Sequence, residues 1–302
     1  MTQNPLLCRV CGSPAVAGMP FGYRFRDRWL GAVRCRSCGI IFLDPQPTGD
    51  DFRAMYSREY FEGDFRCGHE GSYFDDETIS RLSDDSMLRR IREFKPSGAL
   101  LEIGCAGGVF LDMARRAGFQ VRGVEFSPDA SAFARERFGL DVHTGDLRSA
   151  RFPGDAFDVV FMGDVLEHIP DPRPTVAELH RVLAPGGLLV ILCPMQTNTL
   201  YSRLGFAAYR LMGRRVTVNL PPYHVFEYRA GSMSRLLELE GFTVRRIVES
   251  AIRPSEVALR NSFLHNLLKK TFQYPNYMLT RMVNRFGDRI EMFAVKGDVR
   301  TK

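Results

Sequence analysis

Between Ala99 and Cys193 short apolar runs alternate with stretches of helical spacing, and this alternation restricts the fold of the 302-residue chain more than any other feature. The runs Ala99–Ile103, Gln120–Val124, Leu140–Thr144, Phe157–Met162 and Leu188–Cys193 predict strands. Between them lie Val109–Ala117, a helix opened by Ser127-Pro128-Asp129, and a third stretch from Pro172 to Pro185-Gly186-Gly187. Ser at an N-cap with Pro in the first turn is a strong helix start. Strands separated by helices of this length predict an α/β fold, a doubly wound and mostly parallel sheet covered on both faces. A membrane-spanning helix would need ~20 apolar residues. The longest unbroken apolar run, Gly186 to Met195, is a buried-strand candidate instead.

A ligand of such a sheet sits beyond the carboxyl ends of its strands, where the strand order switches. The turn after the first strand reads Glu102-Ile103-Gly104-Cys105-Ala106-Gly107-Gly108. A nicotinamide-type fingerprint would want a third Gly where Val109 stands, and the Gly-Lys-Ser/Thr of a P-loop is absent. Glu125 ends the second strand, the place for a carboxylate that accepts from ribose hydroxyls. Asp146 follows the third strand in Thr144-Gly145-Asp146-Leu147, where an acid can accept from an exocyclic adenine amine. Singly, each acid reads equally well as a surface or capping residue. On three successive strand ends they point to an adenosine ligand.

The motifs LLEIGCAGGVFL, GVEFSP, TGDL, FDVVFMGDVLEHIPDP and LAPGGLLVILCP resemble those of class I S-adenosylmethionine-dependent methyltransferases over residues 99–195. Later strands at Gly241-Phe242 and Glu291–Val295 fit the same seven-stranded, Rossmann-like sheet, and Ala106 stands where the family usually has Gly. The resemblance implies that Gly104, Cys105, Ala106 and Gly108 form the turn that meets the methionyl carboxylate at a helix N-terminus. It further implies Glu102 at the methionyl ammonium, Glu125 on the ribose and Asp146 on the adenine. Phe126 would pack on the adenine, Leu147 would present a backbone donor, and Met162 would line the same site.

Methyl transfer demands alignment of nucleophile, methyl and sulfur, and a base only where the acceptor is poorly acidic. Two histidines are placed to serve. His168 closes Asp164-Val165-Leu166-Glu167-His168 just beyond the fourth strand, and His224 lies in Pro221-Pro222-Tyr223-His224 after the fifth. An imidazole titrates near neutrality and can deprotonate a hydroxyl. The alternatives for His168 are a structural hydrogen bond with Glu167 or the backbone, or a Glu167–His168 metal pair.

Two identical motifs, Cys8-Arg9-Val10-Cys11-Gly12 and Cys35-Arg36-Ser37-Cys38-Gly39, precede this region. Paired thiolates two residues apart can face one ion, and a following Gly permits positive φ. Cys8, Cys11, Cys35 and Cys38 therefore predict a zinc ribbon, with Zn2+ structural because four thiolates leave no open position. Disulfides suit an oxidising compartment, and a redox site needs one pair beside a βαβ unit. The ribbon, with RCRSCGIIFLDPQPT and YSREYF, also resembles methyltransferases of polysaccharide and secondary-metabolite pathways. The expected organisation is a ribbon over 1–45 and a helical, aromatic-rich linker or lid over 46–98, carrying Tyr56, Tyr60, Phe61, Tyr73 and Phe74. The cofactor-binding core spans 99–198 and a substrate-lid insertion 199–241. The last strands, with a basic amphipathic helical insertion, occupy 242–302.

The net charge of +6 is divided unevenly: residues 1–198 carry −4 and residues 199–302 carry +10. Thr199–Leu220 interleaves Leu200, Leu204, Phe206, Tyr209, Leu211 and Met212 with Arg203, Arg210, Arg214 and Arg215. Residues 256–287 repeat apolar positions at helical spacing and resume after Pro275. Such stripes form a lid packed on its own domain, or meet an anionic lipid surface or lipid-linked phosphate. The expected activity is O-methylation of a small or carrier-linked, anionic acceptor such as a sugar or glycan intermediate. An RNA or protein methyltransferase, or a cofactor-binding module without activity, are the alternatives. Nucleic acid is not expected, since the arginines form no compact tract. The opening residues lack a basic n-region and an apolar h-region, so the expected compartment is the cytoplasm.

Overall fold

A computed structural model describes residues 6–55, 83–253 and 263–297. The aromatic residues of the expected lid, Tyr56, Tyr60, Phe61, Tyr73 and Phe74, lie outside the described residues. The chain starts as an antiparallel meander of β1 (Val16–Phe25), β2 (Arg28–Cys35) and β3 (Ile41–Asp44), then α1 (Gly49–Met55) and α2 (Ser86–Phe94). The alternating region follows as β4 (Gly98–Ile103), α3 (Val109–Arg116), β5 (Phe119–Glu125), α4 (Pro128–Phe138), β6 (Val142–Thr144) and β7 (Phe157–Gly163). It continues through α5 (Pro172–Val182), β8 (Leu183–Pro194), α6 (Leu200–Leu211), β9 (Val216–Val218) and β10 (Phe226–Glu227). The last elements are α7 (Ala230–Leu239), β11 (Phe242–Ser250), α8 (Phe263–Val283) and β12 (Arg289–Lys296).

The larger sheet has seven strands in the order β11-β12-β8-β7-β4-β5-β6, and β12 alone runs antiparallel to its neighbours. The order reverses at β4, which pairs in parallel with β5 on one side and β7 on the other. That reversal opens a crevice at the carboxyl ends of these strands. Helix α4 begins as its sequence dictates: Ser127 Oγ accepts from Ala130 N at 3.3 Å, Pro occupies the first turn and Gly139 closes the helix in the left-handed region. Strand β8 starts at Leu183, earlier than the apolar run, because Pro185 and Gly186 sit at its exposed start and not in a loop before it.

Two differences from the sequence reading concern the carboxyl-terminal third. Pro275 interrupts nothing, since α8 runs through it from Phe263 to Val283. The segment after α6 is not all helical, because Val216–Val218 forms β9. Its β-branched valines suit a pleated edge. A second sheet results, in the order β10-β3-β2-β1-β9. β9 adds in parallel to β1 with Phe21 opposite Val216, and β10 adds antiparallel to β3 with Phe42 opposite Phe226. A ribbon of this size cannot bury an adequate core alone. Here Phe21, Leu30, Ile41 and Phe42 belong to one apolar cluster with Leu101, Val160, Val225 and Phe226.

The turn between β1 and β2 is clamped to α1 by Asp51, which accepts from Arg26 Nη1 at 3.2 Å, from Arg28 and from Thr48 N at 2.7 Å. Burial raises the Asp51 pKa, but the Thr48 and Arg28 hydrogen bonds outweigh it and hold the carboxyl at about 2. Phe226, 1% exposed and packed on Phe42 and Tyr228, lies in the apolar cluster that the two sheets share. Phe226→Ala is expected to lower stability by about 3–5 kcal/mol in urea titration, the cost of emptying a buried aromatic site. A loss under 1 kcal/mol would show that the sheets do not share a core.

Candidate active site

The glycine turn lies where the sheet predicts it. Gly104 has φ +70°, and a Cβ there would lie 2.3 Å from Val165 Cγ2. Gly108 has φ +82° and caps α3, with Ala134 and Leu140 against it. Ala106 also adopts a positive φ, +47°, the region that favours Gly. Glu125 ties this turn to the end of β5: Oε2 accepts from Ala106 N and Oε1 from Ser127 N, both at 2.8 Å. Glu102 is 6% exposed and its Oε2 has no hydrogen-bond partner. Burial pushes the Glu102 carboxyl well up, and the neighbouring Glu125 charge adds to the rise. Burial likewise raises Glu125, against the Ser127 and Ala106 amides. Among the described residues neither carboxylate forms an ion pair.

The remaining expected cofactor residues divide. Cys105 is buried under the turn, while Phe126 is 59% exposed at the crevice. Asp146 is exposed, with Oδ1 accepting from Ser149 N at 2.7 Å, and Leu147 is buried behind it. Met162 differs from the expectation. Its side chain is wholly within the core, paired in register with Ile103 and Ile191, and offers no surface to a ligand.

The two histidines, 56 positions apart, are brought together. Leu166–His168 forms a single 3-10 turn after β7, and His168 stands edge-on to His224 with ring centroids 4.9 Å apart. Between them lies the Glu167 carboxylate, 1% exposed: Oε1 is 3.6 Å from His168 Nε2 and 3.9 Å from His224 Nε2. That oxygen has no hydrogen-bond partner, and Oε2 accepts from the Cys193 thiol at 3.3 Å. His168 Nδ1 is 2.7 Å from the Tyr223 carbonyl, which places its proton on Nδ1 and leaves the Nε2 lone pair toward Glu167. Burial lowers the His168 pKa and, with help from His168 and Arg289, holds His224 at about 3. Burial and Asp164 push Glu167 well above the carboxylate range. The ligand atoms of Glu167, His168 and His224 lie within 4.8 Å of one another, so a shared divalent cation is also sterically accessible to them.

A family model described as a methyltransferase domain matches residues 75–247. The chain belongs to the methyltransferase domain family. Ubiquinone biosynthesis O-methyltransferase of Albidiferax ferrireducens is 30% identical over 51% of this chain and 60% of its own length. Phosphoethanolamine N-methyltransferase 2 of Caenorhabditis elegans is 30% identical over 35% of this chain and 26% of its own. The chain spans about half the length of the curated relatives it matches. Its fold is shared with Haemonchus contortus phosphoethanolamine N-methyltransferase 2, solved with S-adenosyl-L-methionine, at a TM-score of 0.50 and 19% identity over 85% of this chain and 62% of that one.

The crevice of this methyltransferase suits S-adenosylmethionine. Two buried carboxylates, Glu102 and Glu125, lie at the ends of β4 and β5 with no cation paired to them among the described residues, and Glu102 Oε2 is an orphaned acceptor. A cationic ligand satisfies both conditions. Spacing gave no warning of two further contributors. Arg289, from β12, donates from Nη2 to both Asp164 oxygens at 2.6 Å, and Tyr228 is wholly buried with its hydroxyl unpartnered beside Glu167. Arg289 comes from the last strand and Tyr228 from the residue after β10, both far from β7 in the chain, so no local motif marks them.

The four ribbon cysteines also converge. Their sulfurs lie within 4.8 Å of one another, with Cys8–Cys38 at 3.6 Å and Cys11–Cys35 at 3.7 Å. A tetrahedral ion with bonds of ~2.3 Å to sulfur needs S–S edges of about 3.8 Å, so the cluster fits a metal and is too wide for disulfides. The two turns match: Gly12 N donates to Cys8 O at 2.9 Å and Gly39 N to Cys35 O at 3.0 Å.

Glu102→Gln leaves the side-chain shape intact and removes the charge. It is expected to weaken S-adenosylmethionine binding about tenfold in calorimetry with the unliganded melting temperature unchanged, and equal affinity would take Glu102 out of the site. His224 carries a pH signature. Because its folded pKa is depressed, the unfolded chain alone takes up its proton as pH falls below ~6.5, so this group costs stability in acid. Melting curves should therefore move in favour of His224→Gln relative to the parent between about pH 7 and pH 4.

Proposed function

We propose that this methyltransferase moves a methyl group from S-adenosylmethionine to a hydroxyl oxygen of a small or carrier-linked acceptor, of the kind a sugar or glycan intermediate presents. When bound, the cofactor supplies an electrophilic methyl group on a sulfonium. The observation that carries the reading is the pair of imidazoles set around buried Glu167. A hydroxyl is a weak nucleophile until its proton is taken, and neutral His168 Nε2, oriented by the Tyr223 carbonyl, is an acceptor for it. The turn at Gly104 touches Val165, three residues before His168, so the cofactor turn and the base share one end of the sheet. Relatives named as O-methyltransferases support oxygen as the acceptor atom. The +10 charge of residues 199–302 favours an acceptor bearing phosphate.

The reading includes a structural Zn2+ on Cys8, Cys11, Cys35 and Cys38, supported by the spacing of their sulfurs. Four thiolates would leave such an ion no open position, so it would take no part in transfer. Cys8, Cys11, Cys35 and Cys38 would use it to hold the β1–β3 meander, whose two edges carry the strands flanking His224.

His168→Gln and His224→Gln are expected to lower turnover about 10²–10⁴-fold in at least one case while S-adenosylmethionine binding stays intact. Full activity in both would remove the histidine base. Methyl-labelled cofactor supplied to cell extract should mark a sugar-nucleotide or lipid-linked fraction, whereas label confined to RNA or protein would overturn the acceptor class. Elemental analysis should give one zinc per chain, and a folded sample without zinc would remove the ribbon metal.

A further inference from the structure

Helices α6 and α8 present apolar side chains outward. Among the twelve residues of α6 none is buried. Leu204 is 63% exposed and Leu211 90% exposed, although the helix is anchored by Phe206 stacked on Phe21 at 5.0 Å. In α8, among the side chains described from Thr271 on, the ordinary pattern is inverted. The polar residues Asn276 and Thr280 are buried at 6% and 2%, while Phe272, Met278 and Met282 are exposed at 50%, 56% and 79%. A helix packed on its own domain turns its apolar stripe inward. This one turns its polar face inward by giving it partners: Asn276 Oδ1 accepts from Leu200 N at 3.2 Å and Nδ2 donates to the Phe286 carbonyl at 3.0 Å. Tyr201 of α6 meets Phe272 of α8 at 6.0 Å, so the two outer faces form one patch.

Charge selects the occupant. Residues 199–220 and 263–287 contain no Asp or Glu and eight Lys or Arg. Arg210, Arg214 and Arg215 are exposed and enter no ion pair among the described residues. A second copy would set cations against cations, and a purely apolar partner would leave the arginines without counter-charge. A leaflet of anionic phospholipid answers both halves, acyl chains for the leucines and methionines and phosphates for the arginines. No helix among the described residues is long and apolar enough to cross a membrane, so the geometry is in-plane. The patch is also at the right end of the molecule: α6 follows the carboxyl end of β8, and Met195 N bonds the Asp288 carbonyl beside Arg289 of the site.

We propose that α6 and α8 form a docking face that seats this protein on anionic phospholipid, with its catalytic crevice turned toward acceptors at the lipid surface. The test is flotation of the full chain with phosphatidylcholine vesicles containing about 30% phosphatidylglycerol, against phosphatidylcholine alone. Partition onto the anionic vesicles is expected to exceed that onto the neutral ones at least about tenfold at low salt and to fall at high salt. Leu211→Asp with Met282→Asp, and separately Arg210→Glu with Arg214→Glu and Arg215→Glu, should each reduce it about tenfold. Because these side chains are exposed, melting temperature and S-adenosylmethionine affinity should stay at parental values, which separates loss of docking from loss of fold. Absence of flotation by the parent at low salt, or flotation indifferent to both variants, would overturn the inference. So would a lipid-free dimer in light scattering that Leu211→Asp abolishes, since a second copy would then be the occupant. The readout needs no methyl transfer, so failure of the proposed chemistry and failure of docking are seen separately.

Discussion

Val225 carries the constraint on which the rest of this molecule depends. Its N–H donates to the Glu167 carbonyl at 2.9 Å and its carbonyl accepts from Leu43 N at 3.1 Å. Buried backbone groups must find partners, and Val225 is wholly buried, so these two bonds are obligatory and not decorative. They fasten the turn after β7 to the cysteine-bearing meander. His224 is the preceding residue, held between β9 on one edge of that sheet and β10 on the other. Without this crossing the two histidines would belong to separate parts of the chain.

Desolvation sets the electrostatics that follow. Glu102, Glu125 and Glu167 are all buried, and burial lifts each carboxyl toward its neutral form. The same burial drives His168 and His224 toward neutral imidazole. Each buried carboxyl is thus shifted toward its neutral form while it lacks a counter-charge, and a cationic ligand reverses that shift, whereas the imidazoles are held ready to accept a proton. Charge is kept elsewhere: Asp164 is paired with Arg289, and Arg210, Arg214 and Arg215 sit on and just after α6.

Much of the cofactor side was legible because local spacing encodes it. Gly104, Gly108, Glu102 and Glu125 follow directly from strand ends and the turn between them, and the two Cys-x-x-Cys motifs specify their own turns through Gly12 and Gly39. Met162 was not legible in the same way. A strand's last apolar residue faces either the crevice or the core, and only the register with Ile103 and Ile191 decides which. The inverted face of α8 was also hidden, since apolar periodicity reports that a stripe exists and not which side of it meets the protein.

The amino-acid sequence by itself determined the doubly wound core, the glycine turn, the acids at the strand ends and the four-cysteine cluster, because each rests on contacts among near neighbours in the chain. Only the tertiary structure decided that Val216–Val218 and Phe226–Glu227 complete the cysteine-bearing sheet, and that His168, His224 and Glu167 meet. Those outcomes depend on pairing between strands far apart in sequence, where the choice of partner is made by shared burial and backbone hydrogen bonding and leaves no periodic signature.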